Sequence, residues 1–274
     1  MPAARSRGGA RLRLALLLSA PMAWLGVAYL GSLAALFVTA FWSVDTFTGG
    51  LIRSFTWANF SELVTVEVYR TITLRTLGVA VAVTAVDLVI AFPMAFAMAK
   101  LASPRARRWL VIAVLTPLWA SYLVKAYAWR VMLSSEGLLG WGYGLTATIL
   151  TLAYLWLPYM ILPIYAGLER LPDSLLEAAG DLGARPWRVF RTVIWPLTFP
   201  AVVAGSIFTF SLSMGDYIAV RIVGGRSQLL GNVVYDNIGA ANNLPFAAAV
   251  ATVPVVIMLI YLAAVRRTGA LENL

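Results

Sequence analysis

Residues 14 to 42 carry no charged side chain, a run of 29 residues. Further apolar runs cover roughly 77–98, 107–132, 145–168, 194–217 and 244–265. An α-helix needs about 20 apolar residues to cross about 30 Å of hydrocarbon. The chain therefore reads as an all-α, polytopic membrane protein with six transmembrane helices in one domain over 1–274. The third run is the weakest, because Lys125 and Arg130 interrupt it. Strands are not expected, since the runs are too long and do not alternate. The sequence is 61% hydrophobic and 12% charged, against about 25% charged in soluble domains. No segment has the composition of a separate soluble domain, and no internal repeat is apparent.

The first run follows Arg5, Arg7, Arg11 and Arg13 and so begins like a signal peptide. A signal core has about 7–15 apolar residues, and this run is longer, so it is expected to remain as the first span. Basic residues set orientation. Fourteen of the 21 lie in four places: the N-terminal tail, Lys100 to Arg108, Arg170 to Arg191, and Arg266–Arg267. With six spans all four fall on one side, which puts the N- and C-termini and the 169–195 loop in the cytoplasm. The net charge of +9 is then that of basic loops beside a lipid bilayer, not of a nucleic-acid binder. Cysteine and histidine are both absent, so disulfides, thiolate sites and histidine-based catalysis are excluded. No carboxylate cluster has metal-ligand spacing, and the chain is read as no enzyme, with no metal or cofactor bound by it.

The most polar stretch is "LPDSLLEAAGDLGARPWRVFRTVIWPL". Asp173 or Ser174 can cap a helix, Gly183 suits the left-handed position that ends one, and Pro186 suits the first turn of a second. Two short helices with a turn between them are expected. An amphipathic connector resting on headgroups and a docking knob for a partner are both consistent with that shape.

Glu177-Ala178-Ala179, three residues, Gly183, nine residues, then Val193-Ile194-Trp195-Pro196 resembles the EAA loop of the permease subunits of binding-protein-dependent ABC importers. Val193 and Trp195 stand where that family has isoleucine and leucine. Further segments, "YLVKAYAWRVMLSSEGLLG" and "FTFSLSMGDYIAVRIVGG", look like the permeases of spermidine/putrescine importers, and the likeness covers roughly 75–265. It implies the type I ABC importer permease fold and location in the bacterial inner membrane. The implied assembly holds a second homologous permease, two ATP-binding subunits and an extracytoplasmic solute-binding protein. ATP and Mg would be bound by the ATPase partner, since no Gly-Lys-Ser/Thr of a P-loop occurs here. Glu177, Ala178, Ala179, Asp181, Gly183 and Arg185 would meet that ATPase, and Trp195 is assigned to the root of span five.

A polyamine would need acids and aromatic faces along its route. Asp87 is the only charge between Leu77 and Met98, and Asp216 falls near the outer end of span five, with Tyr217 beside it. Trp119, Tyr122, Tyr127, Trp129, Trp156 and Tyr159 are candidate aromatic walls. For Asp87 the competing reading is a hydrogen bond to a neighbouring helix's hydroxyl or backbone; for Asp216 it is a cap or an inter-subunit hydrogen bond. Lys125 and Arg130 read as snorkelling cations, and Pro158, Pro163, Pro196 and Pro200 as kinks. The alternatives are another small solute (amino-acid-like, opine or phosphonate) and a stand-alone secondary transporter.

Overall fold

The computed structural model describes residues 7–45 and 47–266. Arg5 and Arg267, two of the charges used for orientation, lie outside them. The chain opens with α1 (Arg7–Trp24), a π-helical stretch Leu25–Leu30 and α2 (Gly31–Thr39), within which Leu16–Thr39 is the first span. From Leu16 onward its side chains are mostly exposed, as expected of a helix apolar on all sides that faces lipid rather than protein. A two-residue antiparallel ladder follows, β1 (Ser43–Val44) with β2 (Leu51–Ile52), Ser43 opposite Ile52. Next comes α3 (Ala58–Thr65). Buried Asn59 donates from Nδ2 to the carbonyls of Ala40 and Trp42, both at 2.8 Å, which ties α3 to the end of the first span.

The second span is α4 (Glu67–Phe96), continued by a π-helical turn Ala97–Leu101. Its 35 residues rise about 50 Å, so it begins ten residues before the apolar run and overhangs the hydrocarbon. The third span is broken. α5 (Pro104–Trp119) and α6 (Tyr122–Leu133) meet at 95°. Pro117 is the only proline near the break, and the Lys125 ammonium bonds the Pro117 carbonyl at 3.0 Å. Arg130 likewise bonds the Ile222 carbonyl at 2.6 Å. Both cations therefore satisfy backbone carbonyls rather than simply snorkelling. The expectation of one continuous helix over 107–132 is corrected accordingly. Five described helices are long and apolar enough to cross, six if the bent pair counts as one span.

α7 (Leu145–Glu169) runs unbroken through Pro158 and Pro163. After α8 (Asp173–Asp181) the chain enters α9 (Pro186–Val189), a π-helical stretch Phe190–Ile194, and α10 (Trp195–Gly215), which follow without a break. The expected second short helix is thus the base of span five, which spans Pro186–Gly215. α11 (Ile218–Val223) and α12 (Leu230–Gly239) fill the next connection, and α13 (Leu244–Arg266) is the last span.

α4, α7 and α10 pack on one another along most of their length and form the centre of the molecule. Small residues line their seams, including Ala80, Ala91, Ala95 and Ala153. Between spans in lipid, close backbone approach replaces the hydrophobic drive. Gly205 shows how close: a Cβ there would lie 2.8 Å from the Met160 sulfur and 3.1 Å from the Met160 backbone. On the basic side, Met98, Val114, Met160, Ile164, Leu168 and Ile194 form one buried cluster. Trp195 packs against it and faces Phe92 at 5.9 Å, Phe190 at 6.1 Å and Phe199 at 6.1 Å. It stands at the root of span five.

Candidate functional site

Two places gather the residues singled out in the sequence. The first is the projection formed by α8 and the turn after it. Gly183 has φ of +70°, which an L side chain enters only at a cost. The Gly183 amide bonds the Gly180 carbonyl at 2.8 Å, and the Ala184 amide reaches the Ala179 carbonyl at 3.1 Å. These are the paired bonds of a Schellman motif. Glycine at 183 is thus explained locally, because it supplies the left-handed turn; the bond to the Ala179 carbonyl is backbone only and sets no demand on that side chain. Glu177, Ala178, Asp181, Gly183 and Arg185 are exposed and Ala179 is partly so. Leu182 is 88% and Trp187 69% exposed, so the projection presents apolar surface beside its charges.

The helix start differs from the expectation. No side chain caps α8. Asp173 instead forms an ion pair with Lys100 at 2.6 Å, and the same ammonium bonds the Leu171 carbonyl at 2.6 Å. Lys100, first through its hydrogen bond and then through its charge, holds the Asp173 carboxyl below its usual value. Arg107 bonds the Met98 and Ala99 carbonyls at 3.2 and 2.7 Å, and its guanidinium lies 3.6 Å from Glu169.

The second place is a cavity of about 290 Å³ at the opposite end of α10. Tyr122, Trp156, Ser211, Asp216, Tyr217 and Ile218 help line it. Four candidates from distant sequence positions converge here: Tyr122 from α6, Trp156 from α7, and Asp216 and Tyr217 from the end of α10. The Tyr122 hydroxyl donates to one Asp216 oxygen, and the other accepts from the Ala219 amide at 2.9 Å. Both carboxylate oxygens are therefore engaged, and Asp216 caps the start of α11. Tyr217 stacks on Tyr235 at 5.0 Å. Aromatic rings continue away from the cavity: Tyr122 to Trp156 at 5.8 Å, Trp156 to Tyr159 at 6.0 Å, and Tyr159 to Phe208 at 6.3 Å. Phe208, half exposed, was not singled out in the sequence, because only the facing of α7 and α10 brings it into this file.

Asp87 and Trp119 stand apart from the cavity. Asp87 is fully buried, and among the described residues neither of its oxygens has a hydrogen-bond partner. The expected bond to a neighbouring hydroxyl is not made; one turn away, Thr209 bonds Thr84 at 3.4 Å instead. Trp119 is 91% exposed at the break between α5 and α6 and does not border the cavity. No group of three or more metal-ligating side chains occurs among the described residues.

Residues 68–267 match the family described as the binding-protein-dependent transport system inner membrane component. The chain is 43% identical to the inner membrane ABC transporter permease protein YdcU of Escherichia coli, over 96% of this chain and 92% of that protein. It is 35% identical to the spermidine/putrescine transport system permease protein PotB of Haemophilus influenzae, over 69% of this chain and 71% of that one. A bacterial alginate ABC transporter, solved in complex with an alginate-pentasaccharide-bound periplasmic protein, contains a chain of the same fold, with a TM-score of 0.69 at 15% identity over 96% of this chain and 95% of its own. The six-span reading, the matched residues and the extent of the YdcU likeness together place this chain in the family of inner membrane permease components of binding-protein-dependent ABC importers.

Proposed function

We propose that this permease forms half of the translocation path of an ATP-driven importer whose cargo is a polyamine such as spermidine or putrescine. A second homologous permease supplies the other half. Two ATP-binding subunits dock on the projection, and a solute-binding protein delivers cargo on the opposite side. The 169–185 segment and both termini lie in the cytoplasm in this reading, where the four basic clusters favour them.

The observation that carries the docking is the α8 projection. Its shape is determined by its own Schellman bonds and by Lys100, while Glu177, Ala178 and Asp181 are left exposed. A preformed, partly apolar knob with acids on it suits a groove bearing basic or N–H groups. The cargo reading rests on the aromatic file from Tyr122 to Phe208 and on the PotB likeness. Aromatic faces attract organic cations where water is excluded.

The test is reconstitution of the tagged permease with the subunits encoded beside it. Expected are co-purification of an ATP-binding subunit and ATP-dependent uptake of labelled spermidine that requires the binding protein. Uptake of an amino-acid-like, opine or phosphonate solute instead would reject the cargo while leaving the importer. Solute movement by this chain alone, without ATP, would reject the whole reading.

A further inference from the structure

We infer that Lys100 is a positioning residue that ties the coupling projection to span two, so that displacement of α8 moves α4 and α10 together. This rests on α8 being the docking element proposed above.

Four observations lead to it. The Lys100 side chain is 8% exposed, although it lies at the end of a span beside water. A lysine at such a place ordinarily keeps its ammonium solvated. Here the ammonium has two acceptors, Asp173 and the Leu171 carbonyl, each at 2.6 Å. Residue 171 precedes α8 and residue 173 begins it, so the two bonds grip the first turn of that helix. The aspartate that would otherwise cap α8 is the one that Lys100 holds.

The base from which Lys100 reaches is itself built for this. It lies in the π-helical turn Ala97–Leu101, closed by the bond from the Ala102 amide to the Ala97 carbonyl at 2.9 Å. Such turns widen a helix locally and free carbonyls. Arg107 satisfies two carbonyls here, those of Met98 and Ala99, and approaches Glu169 at the end of α7. Span two therefore ends in a braced platform rather than a frayed turn.

At its other end α8 passes through Gly183 into the unbroken helix that begins at Pro186 and becomes α10. α4 and α10 both pack along α7 and touch each other. A push on α8 reaches α10 through the chain itself. It reaches α4 through Lys100, assisted by the packing of Leu176 on the basic-side cluster. With the tie cut, α10 would still respond through the chain, while α4 would follow only through its packing on α7 and α10 and the Leu176 contact.

The experiment uses the reconstituted importer in proteoliposomes, with Lys100→Met, Lys100→Arg, Asp173→Lys and the pair Lys100→Cys/Asp173→Cys. The chain has no cysteine, so the pair can be joined by a short bis-maleimide once the partner subunits are cysteine-free. Readouts are subunit ratio, spermidine uptake, and ATP hydrolysed per solute moved. Lys100→Met should keep the subunit ratio and lower uptake about tenfold, the scale of an ordinary coupling energy, with more ATP spent per solute. Lys100→Arg should retain most uptake, and the joined cysteine pair should recover it. Should Lys100→Met fail to assemble, Asp173→Lys decides: 173 is exposed, and two like charges there should give the same loss in an assembled complex. Normal uptake in an assembled Lys100→Met or Asp173→Lys complex would overturn the inference, as would failure of the joined pair to recover. Glu177→Lys separates this from the docking reading. If that variant still binds the ATPase and imports normally, α8 is not the docking element, whatever Lys100 does.

Discussion

Replacing Gly183 by alanine isolates the contribution of one backbone angle to the α8 projection. Its φ of +70° is open to glycine without penalty. For a residue with a Cβ, the left-handed region costs about 1–2 kcal/mol. No steric clash adds to this, because nothing among the described residues lies within 4 Å of the position a Cβ would take. The free-energy cost should therefore be that of the angle alone, a factor of about 5–30 in the population of the closed turn. The bonds affected are those from the Gly183 amide to Gly180 and from the Ala184 amide to Ala179. Amide hydrogen exchange at residues 183 and 184 should accelerate by about that factor. Protection within α7 should not change. Asparagine tolerates the left-handed region better, so Gly183→Asn should fall between glycine and alanine. ATPase docking should weaken in the same order. Unchanged exchange in Gly183→Ala, or a larger effect from asparagine than from alanine, would refute the argument.

Gly205→Ala should act at the helix seam instead. The new methyl would meet the Met160 backbone at 3.1 Å and cost about 1–3 kcal/mol by overpacking, seen as a lower Tm of the detergent-solubilised protein. Lys125→Met leaves the Pro117 carbonyl with only the 3.3 Å bond from the Ala120 amide at the break in span three, at a cost of about 0.5–1.5 kcal/mol for the lost bond; faster exchange confined to residues 117–125 checks it. Asp45 is held below its usual value of 3.8 mainly by the Phe47 and Thr48 amides. A depressed carboxyl stabilises above its unfolded value and loses that contribution as pH falls through its folded one. The 45–50 turn should therefore resist proteolysis at exposed Phe47 at neutral pH and lose that resistance below pH 3.8. Asp45→Ala should lose it at every pH.

Features that depend on neighbours in the chain were legible in the residues. Apolar runs long enough to span declare themselves by composition, and 145–168 and 244–265 meet the observed helices within one residue at each end. Gly183 ends α8 because the φ it supplies is a local need. Trp195 belongs to the root of span five because it opens α10, directly after the base formed by α9 and the π-helical stretch. The errors were also physical. The bend after Trp119 needs Lys125 to serve the Pro117 carbonyl and α6 to pack on α11. The missing cap on α8 needs a lysine 73 residues earlier.

The sequence by itself determined which segments enter the membrane, which side the basic clusters favour, and that α8 would end at Gly183. These follow from hydropathy, charge and backbone angle, properties carried by each residue wherever the chain goes. Only the tertiary structure decided that Tyr122 would meet Asp216 from 94 positions away, that Asp87 would be buried apart from that cavity, and that Lys100 would hold the start of α8. Those pairings depend on how α4, α7 and α10 close on small side chains, which brings together groups that no local pattern connects.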